Sequence, residues 1–230
     1  MKRAIHPASA GRPSENKMKL APVLIALAGA ALVAGCANPS RSRDLANPNV
    51  PAPVLAEQVC SNCHGITGVS VSPNFPVLAA QQPQYIVAQL KEFRAKGRSD
   101  PPGFEYMWGI SRKLTDAQIE GLAKYFSSQA PAHQPPEVKN ASVREAGKAI
   151  FTGGIPAKNI PPCMTCHGDK GQGNANFPRL GGQHADYVEK QLLVFQRTNE
   201  RPEGAVMKTI VHDLTPEHIK EVAAYVQSIG

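Results

Sequence analysis

Apolar residues recur at helical spacing in two stretches of the chain, and each stretch has a twin about a hundred residues further on. In PQYIVAQLKEFRAKG, from Pro83, the residues Ile86, Leu90 and Phe93 fall on one face of a helix. Val188, Leu192 and Phe195 do the same in the twin. A second pair of helices carries its own start signal. Thr115 is a good N-cap, with Gln118 placed to complete a capping box, and Ile119, Leu122, Ala123 and Phe126 form one apolar face. Thr215 caps the twin, with Pro216 at the first helical position and Ile219, Val222, Ala223 and Val226 as the matching face. These stripes read as core and need no further role.

The twinning extends beyond the helices. NFPVLAAQQPQYIVAQLKEF (74–93) lines up without a gap on NFPRLGGQHADYVEKQLLVF (176–195), and the segment 107–126 lines up on 207–226. A period near a hundred residues is too long for a solenoid and means two copies of one domain. The stretch from Ser127 to Ser142 is rich in Pro, Ser and Ala and has no apolar period, so it reads as a connection. The expected layout is all-α, with tandem domains at 54–130 and 142–230 and a linker at 131–141.

The front end does not read as fold. From Met18, Lys19 precedes an uncharged, mostly apolar run from Leu20 to Ala34 that is too short to span a bilayer comfortably. This is the layout of an export signal. Met18 is then the expected true start, and residues 1–36 are a leader. VAGC (33–36) resembles a bacterial lipobox, which makes Cys36 the expected lipidation site and residues 37–53 a flexible tether. Export also changes the meaning of the charge. Residues 1–36 hold five Lys/Arg and one Glu, so the formal +7 of the whole chain falls to +3 beyond them. No basic run is interleaved with aromatics, and a nucleic-acid partner is not expected. With 42% hydrophobic residues but 19 Gly and 21 Pro, the chain can bury a core between long loops.

Besides Cys36 there are four cysteines, in CSNCHG from Cys60 and CMTCHG from Cys163. A thioredoxin-like pair would need a βαβ context, which is absent. Cys60, Cys63, Cys163 and Cys166 could in principle build a zinc site, but zinc gives no reason for a histidine to follow the second cysteine in both copies. Covalent attachment of c-type haem does. Two thiols add across the two vinyl groups, the intervening residues space the sulfurs on a helical turn, and the next residue presents its imidazole to the iron. The expected cofactors are two haem c, bound through Cys60 and Cys63 and through Cys163 and Cys166, with His64 and His167 on the irons.

An iron held by one histidine needs a sixth ligand or stays open for chemistry. Met1 and Met18 lie in the leader, and Met164 lies between the two cysteines of its own motif, on the covalent face. Met107 and Met207 remain, one per copy at equivalent positions, in loops rich in Pro and Gly. They are the expected sixth ligands rather than core filler. His133 lies in the linker, and His184, His212 and His218 lack counterparts in the first copy and read as surface residues. Pro76 and Pro178 stand where a carbonyl can accept from the histidine Nδ1–H. Tyr85 with Tyr187 and Arg98 with Arg201 also match. Contact with haem propionates, a domain interface or plain packing are all open to them.

Taken together, the order CxxCH, NFPxL, Gln, Tyr, Gln-Leu, Phe, Met, Leu-Thr and Tyr in each copy resembles the di-haem cytochrome c4 family over about residues 54–230. The resemblance implies two small all-α haem domains related by a pseudo-twofold axis. It also implies periplasmic electron transfer, from a bc1-type quinol-oxidising complex to a haem-copper oxidase or another periplasmic reductase. One departure is visible: CHGITGVS in the first copy stands against CHGDKGQG in the second. The function expected is a non-enzymatic electron carrier with no small-molecule substrate, lipid-anchored to a membrane facing the periplasm. A haem subunit fixed in a larger dehydrogenase or oxidase complex is the alternative. A di-haem peroxidase-like enzyme would need an open iron, against which paired Met107 and Met207 speak.

Overall fold

The computed structural model describes residues 38–133 and 141–230, and their regular structure is helical apart from two isolated β-bridges. The leader, Cys36 and most of the expected linker lie outside the described residues. Among those described, no helix is long and apolar enough to cross a membrane.

The first repeat opens with a helical run in three parts. Helix α1 (Ala52–Leu55) passes into a π-helical stretch (Ala56–Cys60) and then into α2 (Ser61–His64). Pro53 sits in the first turn, where no backbone donor is required. Then follow α3 (Pro83–Ala95), α4 (Phe104–Ser111) and α5 (Asp116–Ser127). The second repeat has α6 (Ala141–Gly153), α7 (Met164–His167), α8 (Ala185–Arg197), α9 (Ala205–Val211) and α10 (Pro216–Ser228). Between α6 and α7 it carries an excursion that the first repeat lacks, a short turn at Pro156–Lys158 pinned by the Ile155–Ile160 bridge.

Both expected N-caps form, the second as a capping box like the first. The Thr115 side chain accepts from Gln118 N–H and Gln118 reaches back to Thr115 N–H; Thr215 and His218 do the same on α10. The apolar stripes then close two separate cores. Leu55, Ile86, Leu114, Ile119, Leu122 and Phe126 fill the first, and Phe151, Val188, Leu192, Ile219, Val222 and Val226 the second. Leu45 and Val50, in the stretch expected to be tether, pack onto the first core, and Gln118 Nε2 donates to the carbonyls of Asn47 and Val50 at 3.0 Å each. Val50 is 1% exposed. The end of that stretch is therefore folded onto the first repeat, because an apolar side chain and two carbonyls find partners there.

One packing detail shows how the duplication was kept while its residues diverged. In the first repeat α5 crosses α1 at Gly121, where a Cβ would stand 2.5 Å from that of Ala52. Internal alignment places Glu221 of α10 opposite Gly121, and there the glycine has moved to the partner helix: a Cβ on Gly147 of α6 would run into the Glu221 backbone. The close crossing is preserved, with the small residue on the other side. Gly147→Ala should accordingly cost about 3 kcal/mol in a denaturant titration, because backbone must shift, and Gly121→Ala less, because only a methyl opposes it.

Candidate functional site

Each Cys-x-x-Cys-His motif ends a short helix, and that helix buries its histidine. His64 is 7% exposed and His167 is 6% exposed. The ring Nδ1 of His64 lies 2.9 Å from the Pro76 carbonyl, and that of His167 lies 2.9 Å from the Pro178 carbonyl. A carbonyl only accepts, so Nδ1 carries the proton and donates in both rings. The remaining nitrogen, Nε2, is left with its lone pair. Phe75 and Phe177 stack edge-on against the two rings, with centroids 6.2 and 6.3 Å away. Burial pushes both imidazoles below their ordinary pKa, against the opposing pull of the proline carbonyl, so both rings are neutral, as metal ligation requires.

The glycine after each histidine makes the turn away from the helix. Gly65 and Gly168 have φ of 76° and 82°, and a Cβ on Gly65 would strike the Val69 carbonyl. The two cysteines of each motif lie on one turn of helix. Burial raises the Cys60 thiol to about 12 and the Cys163 thiol to about 11, while Cys166, the second cysteine of the second pair, is exposed. A dithiol redox centre needs a thiolate near neutral pH, which is the opposite of this. Nor do the pairs assemble for zinc: among the described residues no three of His, Cys, Asp and Glu are placed to hold a metal ion.

Met107 and Met207 sit at matched positions on α4 and α9, both half-buried. The sequence reading placed them in loops. Pro101, Pro102 and Gly103 instead precede the first of these helices and Pro202 and Gly204 the second, and Gly103 and Gly204 serve as N-caps. Ser111 Oγ closes the first of these helices onto the Met107 carbonyl at 2.7 Å. Met164 packs on the second core.

Between the repeats lies a polar interface that obeys the same pseudo-twofold relation. The Arg98 guanidinium bonds Gln89 of its own repeat and reaches Gln191 and the Tyr187 hydroxyl of the other. Arg201 bonds Gln191 of its own repeat and reaches Gln89 and the Tyr85 hydroxyl. Each guanidinium also lies over a phenylalanine of its own repeat, Phe93 at 4.5 Å and Phe195 at 4.6 Å. Asp100 pairs with Arg98 at 2.6 Å and Glu203 with Arg201 at 3.0 Å. Of the roles open to these tyrosines and arginines, the structure shows the interface.

His184, expected at the surface, is a correction. It is 3% exposed, and its Nε2 meets both the carbonyl and the hydroxyl of Ser70 in the other repeat, at 3.0 and 2.9 Å. Ser70 stands where the second copy has Gly173, so the sequence departure after the first motif is spent on this contact. His212 is exposed, as expected, and His218 serves the α10 cap.

The cytochrome c family model matches residues 52–130 and 144–230. Cytochrome c-552 of Acidithiobacillus ferridurans is 38% identical over 215 residues, 93% of this chain and 90% of that protein. The solved cytochrome c4 of Acidithiobacillus ferrooxidans is 41% identical with a TM-score of 0.65, over 74% of this chain and 98% of its own. The chain belongs to the di-haem cytochrome c4 family. A solved thiosulfate dehydrogenase (TsdBA) from Marichromatium purpuratum is also similar, 30% identical with a TM-score of 0.67, over 76% of this chain and 39% of that one.

The residues present fit the group a cytochrome c4 domain binds. Each repeat offers two sulfurs on one helical turn, a neutral imidazole with Nε2 unengaged, and a glycine where the chain must turn sharply. Each repeat also carries a methionine at a matched position, whose soft thioether is a donor type such a group accepts.

Gln81 with Gln183 and Gln89 with Gln191 belong to the pattern repeated in the two copies, but sequence reasoning missed their place in the interface of this cytochrome c4 chain. Asp100 is the group there most open to test. Burial alone would raise its carboxyl, but the hydrogen bond and charge of Arg98 outweigh this and hold it below the usual carboxylate range. A depressed carboxylate contributes stability above its unfolded value and loses it as the pH falls through the folded one. Asp100→Asn should therefore cost about 3 kcal/mol at neutral pH, with the gap to the parent narrowing below about pH 4 in acid–denaturant titrations.

Proposed function

We propose that this chain carries single electrons in the periplasm through two covalently bound haem c groups. Cys60 and Cys63 anchor the first, with His64 and Met107 on its iron. Cys163 and Cys166 anchor the second, with His167 and Met207. One observation carries the reading: in both repeats the buried ring is held by a proline carbonyl at Nδ1, which leaves Nε2 as the nitrogen for a metal.

Haem c, when bound, supplies a reversible one-electron couple. The chain's own residues set the terms on which it does so. Pro76 and Pro178 fix the tautomer and orientation of the histidines and raise their basicity. The thioethers of Met107 and Met207 favour ferrous iron and raise the potential over that of a bis-histidine centre. With His64 and Met107 holding one iron and His167 and Met207 the other, no donor position would be left for a substrate, which supports a carrier over a peroxidase-like enzyme. The leader-like segment 1–36 supports export, and the lipobox-like VAGC supports an anchor at Cys36 that holds the carrier near membrane partners. A bc1-type complex as donor and a haem-copper oxidase or other periplasmic reductase as acceptor fit this placement and the expected family role.

The likeness to thiosulfate dehydrogenase favours one second reading, in which the chain is the cytochrome part of a larger dehydrogenase. Purification as a stoichiometric complex with a dehydrogenase subunit would select it.

Redox-titrated absorption spectroscopy of the holoprotein tests the ligand assignment. Two low-spin, one-electron centres are expected, each with the charge-transfer band of methionine ligation when ferric. Met107→His and Met207→His should each remove that band from one centre and lower its midpoint on the order of 0.1 V. A variant that leaves its centre unchanged contradicts the assignment.

A further inference from the structure

Two interface glutamines do something the buried arginines do not: they touch the peptide units that hold the histidines. The peptide linking Pro76 to Val77 presents its C=O to His64 Nδ1, and its N–H donates to Gln183 Oε1 of the other repeat at 2.8 Å. Gln183 Nε2 then donates to the Val77 carbonyl at 3.0 Å. The mirror image is complete. The peptide linking Pro178 to Arg179 presents its C=O to His167 Nδ1, its N–H donates to Gln81 Oε1 at 2.6 Å, and Gln81 Nε2 donates to the Arg179 carbonyl at 3.0 Å. Each Oε1 also accepts the next N–H of its own chain, from Gln82 at 2.9 Å and from His184 at 3.1 Å. Two donors on the oxygen and an acceptor on the nitrogen allow only this orientation of each amide. Gln81 and Gln183 are 5% and 6% exposed, so water does not compete for these bonds.

We propose that Gln81 and Gln183 are reciprocal positioning residues, each setting, through one peptide unit, the hydrogen bond that orients and polarises the histidine of the opposite repeat. The physical basis is the planarity of the peptide. Its C=O and N–H share one conjugated system, so an acceptor on the N–H makes the C=O a better acceptor in turn. The relay runs from His64 Nδ1–H to the Pro76 carbonyl, across the peptide, to Gln183. A stronger carbonyl acceptor makes the imidazole a more basic ligand and favours ferric iron. The two amide bonds to the next residue also hold the peptide plane against rotation. Each repeat thus tunes the other's centre with no shared ligand.

The inference rests on histidine ligation as proposed above, and the test separates the two. In the full-length ferrous holoprotein, NMR distinguishes the Nδ1–H of His64 and His167 by their contacts to Phe75 and Phe177. Gln183→Met keeps length and bulk but removes both bonds. It should speed exchange of the His64 Nδ1–H and raise that centre's midpoint, by a roughly threefold shift of its ferric–ferrous equilibrium towards ferrous. The His167 centre should stay as in the parent. Gln81→Met should do the reverse. If either variant fails to incorporate haem, Gln→Asn at the same position keeps the amide but is too short to span both groups, and should give the same crossed pattern. The relay is overturned if the change falls on the glutamine's own repeat, falls equally on both centres, or is absent while the parent shows two protected ring N–H groups. A parent lacking those protected groups would instead sink histidine ligation itself.

Discussion

A single hydrogen bond, made twice, organises this molecule: the donation of a histidine Nδ1–H to a proline carbonyl. It decides which ring nitrogen keeps its lone pair for a metal, and it goes with a ring that is buried and neutral. It also requires the chain to return to the ring within about a dozen residues of the motif. The glycine turn after each motif and the Asn-Phe-Pro segment supply that return. The apolar stripes of α3, α5, α8 and α10 then close a core in each repeat, and the short helices α4 and α9 each carry a methionine at a matched position.

The second constraint is duplication. Two copies of one fold meet across a pseudo-twofold axis, so each contact tends to have a counterpart: Arg98 with Arg201, Gln89 with Gln191, Tyr85 with Tyr187. Buried polar groups of this kind are weak contributors to stability when intact and costly when broken. Their value lies in registration, since a polar network satisfied in only one arrangement holds the two centres at a fixed separation and orientation. Where the copies diverge, the geometry is conserved by exchange, as when the crossing glycine moves from Gly121 on one helix to Gly147 on its partner.

Much of this was legible in the sequence, for definite reasons. Helical periodicity and the Thr115 and Thr215 caps are local signals, and each formed as read, while each paired motif takes the helical turn expected of it. The proline carbonyls were legible because their position after the motif is short-range as well. The opening helices were harder. The first carries Pro53 and passes through a π-helical stretch, which breaks the expected period, although α6 did offer Val143, Gly147, Ile150 and Phe151 at helical spacing. His184 was misplaced because burial of a polar side chain is decided by what faces it, and Ser70 is more than a hundred residues away. The role of the glutamines was hidden for the same reason, although they stood in the repeated pattern. The useful signal was their coincidence in both copies, since polar residues kept at matched positions of a duplicated domain mark the axis between the copies.

The account's central claim is that each motif holds one covalently attached haem, and mass spectrometry of the exported, purified chain tests it most directly. Proteolysis should yield one peptide containing Cys60 and Cys63 and another containing Cys163 and Cys166, each heavier by one haem, with no free thiol in either. Peptides at their bare mass, or recovered linked by disulfides or zinc, would contradict it.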